Sequence, residues 1–306
     1  MAQHGVSRKP WLLYTLITTI SWGIWGAFID APEKAGFPAT LSYVVWSLTM
    51  VPCALVALHL IGWRLEQDVR SVVLGMVIGV LGSGGQLLLF EALRLGPAYL
   101  IFPVVSLAPA VTTLLSWLFL GERTGARGWT GIALALIGLP LLSYQPAGGG
   151  AISGYLWMVL SIVVFFAWGV QAYYWKVANA TMTSEGIFFY MMVGGLVFVP
   201  AALLMTHPDR PVNLGFSGPG VAAIVQLLNS IGALTIVYAF RYGKAIIVSP
   251  LANAVAPVIT VLISLALSAV VPHPVVVTGM VLATVAMFLI ALEPDQPADA
   301  PAGATS

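Results

Sequence analysis

The most deeply placed acidic side chain of this sequence is Glu91, in "FEALRLGPA" at residues 90–98. A carboxyl group buried away from water can titrate near neutral pH, and it could then carry a proton or release a substrate cation. Arg94 follows three residues later, so an i, i+3 ion pair near a helix end is the alternative. We treat Glu91 and Arg94 as candidates for ion coupling and leave open whether Glu91 titrates or only pairs.

Amide, hydroxyl and indole side chains recur at helical spacing inside five apolar stretches. Such groups cost free energy in lipid and usually face the interior of a helix bundle. The eight that we predict to line a polar pocket with aromatic walls are Trp25, Gln86, Trp168, Gln171, Gln226, Asn229, Ser249 and Asn253. Taken singly, an amide can instead bond between helices, and a deep tryptophan can pack beside a glycine.

Prolines lie at corresponding places in two of the apolar stretches, Pro103 and Pro109 in one and Pro250 and Pro257 in the other. A proline inside a helix removes a backbone hydrogen bond and kinks the helix. The freed backbone groups can face a cavity but not lipid. We therefore expect two helices broken at the same depth beside a substrate site, although kinking for packing would also explain these prolines.

The elements that must position these residues are set by composition. The chain has 306 residues, of which 59% are hydrophobic and 8% are charged, and its mean hydropathy is +0.98. Soluble domains carry roughly 25% charged residues, so this is an integral membrane protein. A net charge of +1 gives no reason to expect a nucleic-acid partner. The single cysteine, Cys53, excludes an internal disulfide and a Cys-rich metal site.

About 20 apolar residues are needed to cross the hydrocarbon core as a helix. Apolar stretches of this kind predict ten spans, at residues 11–29, 40–62, 71–94, 98–120, 127–144, 153–176, 184–205, 219–242, 245–271 and 273–292. Residues 1–10 form a predicted cytoplasmic N-terminal segment. Residues 293–306, rich in Pro, Ala and acidic side chains, form a predicted disordered cytoplasmic tail.

Basic residues predict the orientation, because they concentrate on the cytoplasmic side of membrane proteins. With the N-terminus inside, the nine basic residues on the cytoplasmic side are Arg8, Lys9, Arg64, Arg70, Arg123, Arg127, Lys176, Arg241 and Lys244. The outer side then has only Lys34, Arg94 and Arg210. We therefore expect a multi-pass protein of the plasma (cytoplasmic or inner) membrane with both termini in the cytoplasm.

The opening stretch recurs as "YAFRYGKA" at residues 238–245, where Arg241 and Gly243 match Arg94 and Gly96. Other matches at offsets of 146 to 148 divide the chain into repeats at 11–144 and 153–292. Because five spans is an odd number, the second repeat must enter the membrane inverted. The predicted fold is an all-α integral membrane protein of ten transmembrane helices in two inverted five-helix repeats, with a substrate site near the midplane.

The pattern "ALRLGPA…P…AP…LFLGER" in the first repeat, with Gly121-Glu122 after the fourth span, resembles the EamA-type branch of the drug/metabolite transporter superfamily. The resemblance extends from about residue 11 to residue 292. The second repeat departs from it, with "LSAVVPHPVVV" in place of "LFLGERTGARG", so no matching acid is present there. The resemblance implies a ten-helix carrier in the lipid bilayer, often an exporter of amino acids or other small metabolites.

The sequence lacks the motifs of metal-dependent hydrolysis and of nucleotide-driven pumping, since it has no HExxH, no paired cysteines and no P-loop. No cofactor is expected, and transport would be facilitated, by exchange, or driven by an ion gradient, with protons as a possible coupling ion. We predict a secondary transporter that exports a small metabolite such as an amino acid by alternating access. The alternatives are an uptake carrier for a sugar or a quaternary amine and, in another class, a membrane enzyme or non-transporting scaffold.

Overall fold

The computed structural model describes residues 9–96, 98–144, 155–206, 211–268 and 272–292, and its long elements are all α-helices. Most of both predicted terminal segments, 1–10 and 293–306, lies outside the described residues, as do Arg8 and Arg210. The helices of the first repeat are α1 (Pro10–Phe28), α2 (Ala31–Lys34), α3 (Ala39–Leu60), α4 (Val69–Leu95), α5 (Ala98–Val105), α6 (Ala108–Phe119) and α7 (Ala126–Leu142). Those of the second are α8 (Leu156–Ala178), α9 (Ser184–Val197), α10 (Val199–Leu204), α11 (Val221–Tyr242), α12 (Ala245–Ser268) and α13 (Pro274–Ala291).

Eight helical stretches are long and apolar enough to cross a bilayer. They are Pro10–Lys34, Ala39–Leu60, Val69–Leu95, Leu100–Phe119, Leu156–Ala178, Ser184–Leu204, Phe216–Tyr242 and Ala245–Leu267. Two shorter apolar helices, Ala126–Leu142 and Pro274–Ile290, occupy the places of the fifth and tenth predicted spans. The predicted class, an all-helical integral membrane protein, agrees with these helices.

Large apolar side chains cover much of the outer surface of the helix bundle. Examples that are exposed on different helices are Leu13, Leu48, Val73, Phe166 and Phe288. In water such a surface would drive association, whereas lipid tails solvate it as readily as a protein core does. The exposed apolar surface is therefore the lipid-facing surface of the bundle.

The two proline-containing spans differ from each other. In the first repeat, α5 ends at Val105 and α6 begins at Ala108, so the interruption lies between Pro103 and Pro109. In the second repeat, α12 is continuous from Ala245 to Ser268 with both prolines inside it.

The predicted break at Pro250 and Pro257 is therefore wrong. Each proline removes one amide donor, but burial of Val248, Leu251 and Ala252 around Pro250 holds this part of α12 in the packed core. A kinked or locally weakened helix can stay continuous when its neighbours fix both sides of the proline.

Helices of the two repeats are exchanged in a reciprocal way. In α1, Gly23 approaches α12 so closely that a Cβ on it would lie 2.5 Å from a side-chain carbon of that helix, and Thr260 Oγ1 donates to the Gly23 carbonyl at 2.9 Å. In α8, Gly169 approaches α6 equally closely, and Thr112 Oγ1 donates to the Gly169 carbonyl at 2.9 Å. Small residues at both crossings allow backbone contact.

The two ends of the bundle differ in charge. Bonds from Thr183 to Glu66 and from Lys244 to Arg123 bring four turns together at the end where α1 begins. We call this the basic end; its described basic residues are Lys9, Arg64, Arg70, Arg123, Arg127, Lys176, Arg241 and Lys244. At the opposite end, where Asn213 bonds to Gly36, the described basic residues are Lys34 and Arg94.

Candidate functional site

A small cavity, partly open to solvent, lies between α1, α3, α4 and α11. Its lining residues are Trp25, Ile29, Tyr43, Trp46, Gln86, Phe90, Gln226 and Asn229. They come from the last turns of α1 and α4 and from the first turns of α3 and α11, so the cavity lies in the half of the bundle nearer the opposite end. Helices of both repeats contribute to it.

Hydrogen bonds between α1 and α11 fix one wall of the cavity. Trp25 Nε1 donates to Gln226 Oε1 at 3.1 Å, and Asn229 Nδ2 approaches the same oxygen at 3.5 Å. Trp22 Nε1 donates to the backbone carbonyl of Asn229 at 3.4 Å. Because its carbonyl oxygen is used in this way, Gln226 has amide hydrogens left to donate to a bound molecule.

On the opposite wall of the cavity, Trp46 has an indole N–H donor that no acceptor satisfies. Its Nε1 is buried and has no hydrogen-bond partner among the described residues. The ring packs edge-on against Tyr43 at a centroid distance of 5.3 Å, and the Tyr43 hydroxyl donates to the Gly195 carbonyl at 3.0 Å. An unpaired buried donor costs about 1–3 kcal/mol. A bound molecule with an acceptor atom would remove that cost.

The lining contains no carboxylate, ammonium or guanidinium group. Four aromatic rings supply apolar contact, and three amides together with one indole N–H supply neutral hydrogen bonds. Burying an unpaired ion in such surroundings is costly. The cavity therefore suits a small amphipathic molecule with no net charge. Among the described residues, no group of three His, Cys, Asp or Glu side chains could hold a metal ion.

Of the residues predicted from the sequence, the structure brings Trp25, Gln86, Gln226 and Asn229 together in this cavity. Trp168 and Gln171 instead join α8 to α4. Trp168 Nε1 donates to the Gly82 carbonyl at 3.2 Å, and Gln171 Nε2 donates to the Ile78 carbonyl at 3.1 Å. Such bonds between helices are the alternative to pocket lining that the sequence allowed for these residues.

The predicted pair on α12 also lies apart from the cavity lining. Ser249 is buried, whereas Asn253 is exposed and its Nδ2 donates to the Ser249 carbonyl at 2.9 Å, within the same helix. A role in substrate binding stays a prediction for both residues, as it does for Trp168 and Gln171.

Glu91 and Arg94 form a two-point ion pair near the end of α4. Arg94 Nε donates to Glu91 Oε2 at 2.9 Å, and Nη2 contacts the other carboxylate oxygen. The Arg94 side chain is 67% exposed and that of Glu91 is 30% exposed. Glu91 follows Phe90 of the cavity wall, so it lies beside the cavity, not in it. Whether it titrates during transport stays a prediction.

Tyr43, Trp46, Phe90 and Ile29 were not predicted from the sequence. The available signal was the i, i+3 spacing of Tyr43 and Trp46 in "SYVVWS" on the second span, which places both rings on one helix face. That span contains no amide side chain, so no pair of polar residues marks it in the sequence.

The EamA-like transporter family model matches residues 9–144 and residues 153–292. An uncharacterized protein of Methanocaldococcus jannaschii is 40% identical over 76 residues, which are 25% of this chain and 56% of that protein. The match therefore spans little more than half the length of that relative.

A protein of Serratia proteamaculans named as a probable 4-amino-4-deoxy-L-arabinose-phosphoundecaprenol flippase subunit, ArnE, is 36% identical over 91 residues. That match covers 28% of this chain and 77% of ArnE. A protein of solved crystal structure has the same fold, with a TM-score of 0.74, 19% identity, and coverage of 92% of this chain and 98% of that one.

Proposed function

The chain belongs to the EamA-like transporter family, within the drug/metabolite transporter superfamily, and on that premise we propose that it is a secondary carrier that exports a small amphipathic metabolite by alternating access. The observation that carries this proposal is the uncharged aromatic cavity between α1, α3, α4 and α11. Amino acids are the first substrate candidates, since their carboxylate would accept from the indole and amide N–H groups, their ammonium would donate to amide oxygens, and their variable apolar part would contact the rings.

The proposed architecture is ten spans in two inverted five-helix repeats, at 11–144 and 153–292. The reciprocal contacts of Gly23 with α12 and of Gly169 with α6 support it, because a twofold relation between repeats generates such pairs. The helices Ala126–Leu142 and Pro274–Ile290 have 17 residues each. At 1.5 Å per residue they reach about 26 Å, which a slightly thinned bilayer accommodates.

We place the basic end in the cytoplasm, with both chain termini, because basic residues are retained on that side. The cavity then lies in the outer half of the membrane, and because the contacts of Glu66 and Glu122 close the basic end, we assign the conformation as outward-facing. For an exporter this is the state that releases substrate. The membrane is the plasma membrane, or inner membrane, in this proposal.

In the cavity, the indole N–H of Trp46 would donate to the substrate's acceptor oxygen. Gln86, Gln226 and Asn229 add neutral hydrogen bonds, and the faces of Trp25 and Tyr43 contact the apolar part. Since the sequence has no nucleotide-binding motif, energy comes from an ion gradient or from exchange. Protons are the proposed coupling ion, with Glu91 and its partner Arg94 as the proposed coupling residues.

A second candidate is uptake of a quaternary amine or a sugar. Four aromatic rings around one cavity favour the amine specifically, because aromatic faces hold cations.

The purified protein in detergent should be screened by thermal shift against amino acids, sugars and quaternary amines, since a specific ligand raises apparent stability by mass action. Hits are then measured for counterflow in proteoliposomes. We expect an amino acid to stabilise the protein and to exchange across the membrane. Stabilisation by an amine alone would favour the second candidate, and the absence of both stabilisation and flux across the panel would contradict transport of these classes.

A further inference from the structure

Glu122 of the first repeat holds the start of α12 in the second repeat. It lies in the turn between α6 and α7, and its Oε2 accepts the backbone N–H of Ile246 at 3.0 Å. In the same place Lys244 Nζ donates to the carbonyl of Arg123. The first N–H groups of a helix have no partner inside the helix. A carboxyl oxygen from the other repeat therefore satisfies donors that α12 itself leaves open.

Glu66 makes an equivalent contact with the start of α9. It lies in the turn between α3 and α4 of the first repeat, and its carboxylate accepts the backbone N–H of Thr183 at 2.9 Å and the Thr183 hydroxyl at 3.2 Å. Thr183 is the N-cap of α9. The Tyr190 hydroxyl, about two turns further along α9, donates to the backbone carbonyl of Glu66.

Both contacts lie at the basic end and both join the two repeats. Close packing lies beside them: Tyr14 of α1 stacks on Tyr238 and Tyr242 of α11, at centroid distances of 4.9 and 5.8 Å. The cavity, by contrast, lies in the half of the bundle nearer the opposite end. The basic end is therefore the closed end of the bundle.

At the opposite end, the repeats meet through neutral groups. Asn213 donates from its backbone N–H to the Gly36 carbonyl at 3.0 Å and from Nδ2 to the Ala35 carbonyl at 2.8 Å. Thr40 and Thr206 share a hydroxyl–hydroxyl bond of 2.7 Å. The symmetry of the repeats is thus kept in the helices and lost in the chemistry of the turns that join them.

We propose that Glu66 and Glu122 form a two-point latch that keeps the basic end closed, and that the inward-facing state forms only when both release the helix starts they hold. The latch rests on the proposed function only in that alternating access requires this end to open. Because both carboxylates come from the first repeat and both held helices from the second, an opening that moves the α3–α4 turn away from α9 and the α6–α7 turn away from α12 must break both contacts.

A small, buried reporter can follow the opening without any substrate. Ser71, in the first turn of α4, is 5% exposed and lies on the helix face of Gly75, which meets Tyr190 of α9. Ser71→Cys in a Cys53→Ala background changes one oxygen to sulfur and gives the chain a single thiol. Ile29→Cys in the same background reports on the cavity at the opposite end.

The decisive variant is Glu122→Ala, because Glu122 lies on a different turn from the reporter. In the purified full chain, we expect it to raise the rate at which a water-soluble maleimide labels Ser71→Cys by about tenfold, as for the loss of one hydrogen bond. Labelling of Ile29→Cys should slow in parallel, since the opposite end closes as the basic end opens. Glu66→Ala should act in the same direction.

Glu122→Gln keeps an acceptor oxygen for the Ile246 amide, so its labelling rate should stay within about twofold of the parent. Glu33→Ala, at an exposed acid of the opposite end, is the matched control. The latch is overturned if folded Glu122→Ala labels Ser71→Cys at the parent rate, or if Ser71→Cys labels faster while Ile29→Cys is unaffected, which would indicate local fraying. Neither readout requires flux, so the latch and the proposed function can fail separately.

Discussion

At the scale of single residues, the indole of Trp46 is the clearest candidate for direct recognition of a substrate. Trp46→Phe removes the unpaired N–H and keeps a ring of similar position. The loss of one hydrogen bond should weaken binding of a ligand found in the thermal-shift screen about tenfold. The stability of the protein without ligand should be unchanged or slightly raised, because a buried unpaired donor is gone.

Trp63→Phe is the control for Trp46→Phe, since Trp63 is exposed on the turn after α3, beyond the far end of that helix from Trp46, and is not part of the cavity lining. Titrations of ligand against melting temperature give both dissociation constants. Equal affinities for the two variants would assign Trp46 to packing alone.

We expect the titration of the Glu122 carboxyl group to make closure of the basic end depend on pH. Burial raises the pKa of its carboxyl group, while the Ile246 amide, Lys176 and Lys244 act against that rise. In an open state facing water the pKa returns to its ordinary value. The proton is therefore bound more tightly in the closed state, so closure is strongest below the ordinary carboxyl pKa and weakens as pH rises through the raised value.

The measurement is the labelling rate of Ser71→Cys across that pH range, divided at each pH by the rate in the Glu122→Gln background. This ratio removes the pH dependence of the thiol itself. The charged groups that face the Glu122 carboxyl are Lys176 on α8 and Lys244 before α12, whereas the neighbouring Arg123 guanidinium donates to the backbone carbonyls of Trp117 and Glu122. All three basic residues remain present in both proteins. A ratio that does not change with pH would contradict the predicted titration.

At the scale of elements, a glycine allows close contact at each of two helix crossings, that of α8 with α6 and that of α1 with α12. A Cβ on Gly169 would lie 2.5 Å from Val111 and 2.6 Å from the backbone oxygen of Ala108, so Gly169→Ala must push α8 away from α6. We expect a loss of about 1–3 kcal/mol, as for overpacking, seen as a lower melting temperature. Gly23→Ala should cost a similar amount at the reciprocal crossing.

The comparison for these changes is Gly84→Ala. A Cβ there would meet only the Phe198 ring, at 3.4 Å, which is ordinary contact. Since alanine also favours the helix over glycine, this variant should be as stable as the parent or more stable. If all three variants have the same melting temperature, the close backbone contact at the two crossings does not contribute to the stability of the protein.

The sequence predicted elements better than it predicted their breaks and partners. Apolar length is a local property, so the positions of all ten apolar helices could be read from it. Whether α12 stays continuous through Pro250 depends on the residues packed around it, which a single chain does not reveal. For the same reason, Gln226 and Asn229 were recognised as polar residues, whereas the aromatic pair Tyr43 and Trp46 became visible only once α3 was placed against α4 and α11.

At the scale of the whole molecule, the charge difference between the ends predicts the orientation. In intact cells, Lys34→Cys in the Cys53→Ala background should react with a membrane-impermeant maleimide, because Lys34 is exposed at the opposite end. Arg70→Cys, exposed at the basic end, should react only after the membrane is permeabilised. The reverse pattern would invert the proposed topology and the side to which the cavity opens.

The exchange of helices between repeats also sets the order in which this chain can mature. Thr260, which bonds to Gly23, is separated from it by 237 residues. At a synthesis rate of about 5–20 residues per second, α1 waits roughly 10 to 50 seconds for this partner to leave the ribosome. During that time the α1 surface around Gly23 faces lipid or the insertion machinery. The first half of the protein therefore cannot complete its packing until the ninth span has been synthesised and inserted.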